Sequence, residues 1–274
     1  MTVLGASGFI GSRLSTELRR RRWPVSMPPR EEDLAGLDLG TVFYCIGLTG
    51  DASLRPLETI EAHVVKLVEV LRACRFDRLV YLSSTRLYLG ASGGSETDTL
   101  CIDPRDAGRL FNLSKAAGEA LVLDSGRPAS VARLSNVYGA DWESQNFLPT
   151  VIGDACRDGR IVVRDALESA KDYVHVQDAI DALIHIGLDG THAVYNVASG
   201  RNVTHGEIAR ELQKLTGCTL GIGPSPRTVV FPAIETSRLQ AEHPFTPRRV
   251  LADLPQLVDE CRAWLTRSEA RAAE

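Results

Sequence analysis

The 274-residue chain has no apolar run near the roughly 18 uncharged residues that a membrane helix needs, so no span is expected. It has no basic surplus: 31 Lys and Arg face 35 Asp and Glu, a net charge of −4. That balance argues against a nucleic-acid surface as its main business. Its six cysteines (Cys45, Cys74, Cys101, Cys156, Cys218, Cys261) contain no CxxC pair, so neither a zinc knuckle nor a disulfide framework is suggested. The six histidines form no HExxH or HxH cluster, and no metal site is expected. No basic segment precedes the first apolar residues, which glycines soon interrupt, unlike a signal peptide. A cytoplasmic, metal-poor globule is the expectation. What is present is 44% apolar and 24% charged residues, enough for a core in one large or two small domains.

Apolar runs alternate with amphipathic stretches. Extended segments are expected at Thr2–Leu4, Val25–Met27, Thr41–Ile46, Arg78–Ser83, Ala129–Leu134 and Ala193–Val197. Several are near-continuous apolar runs, as in strands covered on both faces. Helical patterns lie between them at Ile10–Arg20, Glu58–Ala73 and Leu113–Leu123. Such alternation predicts an α/β fold with a doubly wound parallel sheet. After about Tyr138 the rhythm loosens into helices at Asn146–Arg157, Asp178–Gly187, Gly206–Thr216 (with Thr204 as N-cap) and Leu254–Leu265. A short extended piece is expected at Arg160–Arg164, and loops at Gly221–Pro226 and Pro244–Pro247. The expected organisation is a dinucleotide-binding domain over 1–137, rejoined by 171–198, with a small substrate lobe from 138–170 and 199–274.

The strongest local signal is Gly5-Ala6-Ser7-Gly8-Phe9-Ile10-Gly11, after a strand and opening a helix. Glycines there permit a tight turn, close backbone approach to a pyrophosphate and close helix–strand packing. The helix N-terminus adds free N–H groups and a positive dipole. Gly5, Ser7, Gly8, Phe9, Ile10 and Gly11 are therefore assigned to a dinucleotide. The second strand should end in an acid that holds the adenosine ribose, yet the chain reads Val25-Ser26-Met27-Pro28-Pro29-Arg30. A missing acid with Arg30 at that spot, and Arg13 after the last glycine, favours a 2′-phosphate and so NADP over NAD. Asp33 and Leu34 fit the place of adenine contact, and Cys45 joins the cofactor set. The run Arg19–Arg22 falls at a helix C-terminus, where cations complement the dipole, and reads as a solvated helix end.

A further constellation, Leu82-Ser83-Ser84-Thr85-Arg86-Leu87-Tyr88, ends a buried strand, and Phe111-Asn112-Leu113-Ser114-Lys115 follows. With the glycine turn, Arg133-Leu134-Ser135-Asn136-Val137-Tyr138-Gly139, Lys171-Asp172-Tyr173-Val174-His175-Val176-Gln177-Asp178 and Tyr195-Asn196-Val197-Ala198-Ser199-Gly200, the chain resembles a known family. It is similar to the extended short-chain dehydrogenase/reductase superfamily, in its nucleotide-sugar epimerase/dehydratase/reductase branch. The resemblance runs over nearly the whole chain. It implies a Rossmann-type fold, NADP (or NAD) as cofactor, a nucleotide-sugar substrate and a homodimer paired through the Glu58–Ala73 and Leu113–Leu123 helices.

In the family a Ser/Thr, a Tyr and a Lys work the nicotinamide end, the last two spaced YxxxK. The i, i+4 spacing puts both on one helix face, where the ammonium lowers the phenol's pKa. Carried over, Ser84 takes the Ser/Thr role, Lys115 the Lys role and Phe111 the Tyr position. Phenylalanine has no proton to give. Three accounts fit it: an introduced Tyr→Phe change that keeps the ring, a proton path through another group such as Ser84 or Tyr88, or a binder without turnover. The family's 4,6-dehydratases follow the Ser/Thr with Asp-Glu, whereas here Thr85-Arg86 follows, which disfavours dehydration. The resemblance also assigns Ser84, Thr85, Asn136 and Lys171 to the substrate. Asn136 reads equally as a loop cap, and Lys171 lacks the bidentate fork of the family's arginine. His63, His175 and His185 read as packing or surface residues. An epimerase or ketoreductase is the leading expectation, with a silent dinucleotide sensor on the same fold as the alternative.

Overall fold

The computed structural model describes residues 1–49, 52–105, 108–224 and 226–273. In chain order the first elements are β1 (Thr2–Leu4), α1 (Phe9–Arg20), β2 (Thr41–Tyr44), α2 (Pro56–Ile60), α3 (Lys66–Ala73) and β3 (Arg78–Ser84). Next come α4 (Arg109–Asp124), β4 (Ala129–Leu134), β5 (Asn136–Tyr138), α5 (Phe147–Arg157), β6 (Arg160–Val163) and β7 (Ala170–His175). The chain continues through α6 (Val176–Leu188), β8 (Val194–Val197), β9 (Asn202–Thr204) and α7 (His205–Thr216). It closes with β10 (Thr219–Ile222), α8 (Ser237–Glu242) and α9 (Val250–Ala273). No helix among the described residues is long and apolar enough to cross a membrane.

Five strands form one sheet in the order β1-β2-β3-β4-β8, and every pairing in it is parallel. Alternate side chains leave opposite faces, so both faces need cover. Phe43, Val80 and Ala132 pack with Leu14 of α1 and Leu183 of α6. Val42, Tyr44, Leu79 and Val131 pack with Leu67 of α3 and Val122 of α4 on the other face. The expected α/β doubly wound sheet is what forms. A second core gathers Ile152, Ile161, Ile208 and Leu254 from α5, β6, α7 and α9. Thr204 caps α7 as expected, accepting from Glu207 N while the Glu207 carboxylate reaches back to Thr204 N.

Three local expectations need correction. Val25–Met27 shrinks to a single bridge from Ser26 to Thr2, because Pro24, Pro28 and Pro29 supply no N–H to extend the ladder. The loop expected at Gly221–Pro226 begins inside β10, which pairs in parallel with β6. The helix expected over Glu58–Ala73 is interrupted by a π-helical turn, Glu61–Val65. Side chains from the sheet enter the helix ladder there: the Tyr44 hydroxyl donates to Ala62 O at 2.6 Å, and that of Tyr81 to His63 O at 3.3 Å. The short strands β5, β7 and β9 form a separate three-stranded sheet with no strong apolar signature. Of the arginine run, Arg20 and Arg21 both pair with Glu17 at 2.7 Å, so part of this charge is spent within the helix end.

One polar network crosses the core. Arg133 on β4 donates to both carboxylate oxygens of Glu119 on α4, the shortest contact being 2.7 Å, and both residues are at most 5% exposed. Ser83 donates to the same carboxylate. Arg133 Nη1 reaches the Tyr88 hydroxyl at 2.7 Å, which donates in turn to Asn196 Oδ1 on β8 at 2.9 Å. Removing Arg133 alone would strand a carboxylate in the interior. Arg133→Met should lower the unfolding free energy by about 3–5 kcal/mol in a urea titration. The double variant with Glu119→Leu should recover part of that loss. A single-variant change below about 1 kcal/mol would contradict this account.

Candidate active site

The turn after β1 has the shape its glycines predict. Gly5 has φ +81°, and a Cβ on it would lie 2.8 Å from Cys45 C, so the turn presses onto the end of β2. A Cβ on Gly11 would lie 2.2 Å from Gly5 O, which forces a glycine where α1 crosses the turn. Gly8 is different: the nearest atom to an added Cβ is Gly5 O at 3.5 Å, leaving its outer side open. Gly8 heads α1 without a side-chain cap, and no acid occupies the first turn. The first N–H groups of the helix are thus free for an anion. The cradle fits the pyrophosphate of a dinucleotide.

Ser84 ends β3 and accepts from Arg86 N at 3.1 Å, so its own hydroxyl hydrogen is left to donate. Across from it, α4 presents Phe111, Lys115 and Glu119 on one stripe, all buried. Lys115 Nζ donates to Leu82 O at 2.8 Å. Burial pushes its pKa down to about 7, against the opposing pull of Cys45 and Glu119. Cys45 has its thiol pKa pushed up to about 12 by burial, so it stays protonated. His63, from the π turn, meets the Phe111 ring edge-on with centroids 5.5 Å apart. Its Nε2 accepts from Leu48 N at 3.2 Å, and its Nδ1 faces Ser114 Oγ at 2.7 Å. Ser114 donates onward to Phe111 O, so Nδ1 carries the hydrogen and the ring is neutral. Burial, followed by the nearby Lys115 charge, holds its pKa at about 3.

A donor hydroxyl, a desolvated lysine and an open glycine cradle thus converge at the carboxyl ends of the parallel strands. A sequence model of the NAD dependent epimerase/dehydratase family matches residues 1–198. The chain belongs to that family.

MoeE5, solved in complex with UDP-glucose and NAD, superposes with a TM-score of 0.82 at 26% identity, over 96% of this chain and 99% of that one. A dTDP-4-dehydro-6-deoxy-D-allose reductase of Streptomyces bikiniensis is 24% identical over 262 residues, 78% of this chain and 80% of its own. RMD from Pseudomonas aeruginosa, complexed with NADPH, shares the fold at a TM-score of 0.73 and 22% identity, over 96% and 100% of the two chains. Relatives by sequence are named reductases, epimerases and dehydratases, and this chain is built as an enzyme of the same family, with a nicotinamide dinucleotide as its cofactor.

The remaining family positions are more dispersed. Arg30 and Asp33 are exposed, Asp33 accepting from Ala35 N in a turn. Leu34 is half-buried, and its carbonyl accepts from the Cys74 thiol. Arg13 donates to Phe9 O and Ala140 O and lies over the Phe9 ring, tying the turn to the segment after β5. Thr85 is buried below the strand end. Asn136 donates its amide to Asp172 O at 2.8 Å, the loop-tying contact. Lys171 is half-buried with its Nζ 5.9 Å from the Phe147 ring. Tyr88 is sealed in the core network and supplies no route for a substrate proton.

Two histidines gain importance that the sequence did not signal. His63 is fully buried beside Phe111. His205 is also fully buried, stacked 3.9 Å from Phe147, and neither ring nitrogen has a partner among the described residues. Burial, and then Lys171, pushes its pKa to about 4.

The lysine has a measurable consequence for stability. Folded Lys115 releases its proton near pH 7, whereas an unfolded lysine releases it near 10.4. Between these values the unfolded chain binds more protons, so stability rises with pH, and the burden of the buried ammonium is greatest below 7. Relative to Lys115→Met, the cofactor-free protein should therefore gain unfolding free energy from about pH 7 to 10. A flat difference across that range would show that the ammonium is not desolvated.

Proposed function

We propose that the chain is an NAD(P)-dependent nucleotide-sugar epimerase or ketoreductase that works at a sugar carbinol or ketone. The observation that carries this reading is Ser84 with an unspent donor hydrogen at the carboxyl end of β3, near the buried Lys115, whose pKa is about 7. When bound there, the dinucleotide supplies or accepts hydride. Ser84 would hold the substrate oxygen by a hydrogen bond that strengthens as charge develops on it. Lys115 would bind and orient the nicotinamide ribose. Gly5, Ser7, Gly8, Phe9, Ile10 and Gly11 would bind the pyrophosphate, with Asp33, Leu34 and Cys45 along the rest of the cofactor. Lys171, Asn136 and Thr85 would serve the substrate. The exposed apolar side chains of Leu57 on α2 and Leu113 on α4 support pairing of two copies through those helices, which equilibrium sedimentation would read.

Phe111 favours a second reading, a silent dinucleotide binder on the same scaffold. The ring fills the slot between His63 and Arg86 without offering a proton. Phe111→Tyr adds one oxygen to a site already shaped for an aromatic ring. Lys115 would lower the new phenol's pKa, and an acid/base group of this kind contributes about 10²–10⁴ in rate. The gain should appear in kcat on nucleotide sugars more than in KM. Normal binding with no gain on any nucleotide sugar decides for the silent binder.

Cofactor choice is the second test. With Arg30 in place of an acid, NADPH should bind more tightly than NADH in titration calorimetry, and Arg30→Ala should narrow the gap. NADH binding at least equal to NADPH would refute it.

A further inference from the structure

Among the described residues Arg86 is a cation without an anion. It follows Ser84 and Thr85 in the chain, and its guanidinium carbon lies 5.9 Å from the centre of the Phe111 ring. No carboxylate among the described residues forms an ion pair with it. The residue is exposed, and partial burial of its guanidinium lowers its pKa. Gly108, with φ +75°, heads α4, and a Cβ there would lie 2.4 Å from Arg86 Nη2, so any side chain would displace the guanidinium.

A second cation stands within electrostatic range. The pKa of Lys171 on β7 is lowered by burial and by Arg86, with Asp165 opposing. The two positive groups occupy different parts of the site. Lys171 lies near the Phe147 ring and His205, and Asp165 offsets its charge. The Arg86 guanidinium lies over Phe111, its backbone N–H donates to the Ser84 hydroxyl, and no carboxylate among the described residues offsets its charge. An exposed arginine with no carboxylate partner among the described residues has its donors available for an anion that a ligand brings. Its planar fork of donors matches a carboxylate.

We propose that Arg86 is a specificity residue that binds a carboxylate on the sugar ring, so the substrate class is a nucleotide-linked uronic acid. This rests on the nucleotide-sugar reading above and narrows it. The sugar diphosphate would lie toward Lys171, and the ring carboxylate would face the guanidinium at the Ser84 and Phe111 end. No covalent step is involved; Arg86 selects and orients.

The test is calorimetric titration of the protein, saturated with NADPH so that no sugar hydroxyl is oxidised, with UDP-glucuronic acid and with UDP-glucose. A charge-assisted bidentate contact predicts at least about tenfold tighter binding of the uronate. Arg86→Gln should bring the ratio close to one, and Arg86→Lys should retain part of it. Retained NADPH binding shows that each variant is folded. Equal affinities in the unaltered protein overturn the proposal. So does an Arg86→Gln variant that weakens both ligands with the ratio preserved, because the guanidinium would then be gripping the diphosphate. Failure of both sugar nucleotides to bind overturns the functional reading itself, and this proposal with it.

Discussion

The buried ion pair between Glu119 and Arg133 is the constraint on which the site depends. Glu119 lies one helical turn beyond Lys115 and two beyond Phe111, so anchoring it sets the rotation of the whole α4 stripe. Arg133 fixes that anchor to β4, and Ser83 fixes it to the residue before Ser84. Two strands and a helix are thereby held in one register around a single carboxylate. Neither group could remain in the interior alone. Their mutual hydrogen bonds offset the loss of hydration, and geometry, more than stability, is what the pair contributes. The same network continues through Tyr88 and Asn196 to Gly94 O and Glu235 O, bringing the loops after β3 and before α8 under the same control.

Against this rigid frame the reactive groups are placed in contrasting surroundings. Ser84 has its acceptor role filled by Arg86 N, which aims its hydrogen outward. His63 has both nitrogens occupied and is fixed as a neutral ring, so it shapes the Phe111 slot and adds no charge to it. Lys115 is the opposite case, an ammonium in a dry place with its proton loosely held. The π turn is what brings His63 there. Its carbonyls are held by phenols from β2 and β3, so the sheet itself dictates the irregularity of the helix.

The sheet strands and their covering helices were legible because burial on both faces leaves continuous apolar runs, and because helical stripes repeat every three to four residues. The glycine turn was legible for a stricter reason: Gly5 and Gly11 sit where a Cβ would collide with backbone. The strand ends carrying Ser84 and the helix carrying Lys115 followed from motif order. The rest depended on contacts between distant segments. Nothing local marks His63 as buried, since the phenols that open its helix come from residues 19 before and 18 after it. Val25–Met27 read as a strand by residue type, and only the flanking prolines limit its ladder. Arg86 stood out in the sequence only as a departure from the dehydratases' Asp-Glu, because its lack of a carboxylate partner among the described residues is visible only once its neighbours are known.

Phe111 and Lys115 together bear on what the site is for. A phenyl ring against His63 is ordinary core packing and stabilises the fold whatever the function. Lys115 is not ordinary. It is 5% exposed, and among the described residues Leu82 O is the one acceptor of an ammonium with three donors. Burying that charge opposes folding, and an apolar chain of similar length would pack the same space without the opposition. A scaffold selected for stability alone has no use for it. The unspent N–H groups are satisfied once a ligand with hydroxyl or carbonyl oxygens enters the cleft, and the binding energy is then drawn from a cost already present in the free protein. The lysine therefore argues for a ligand-dependent role at this position even where the neighbouring phenol is missing.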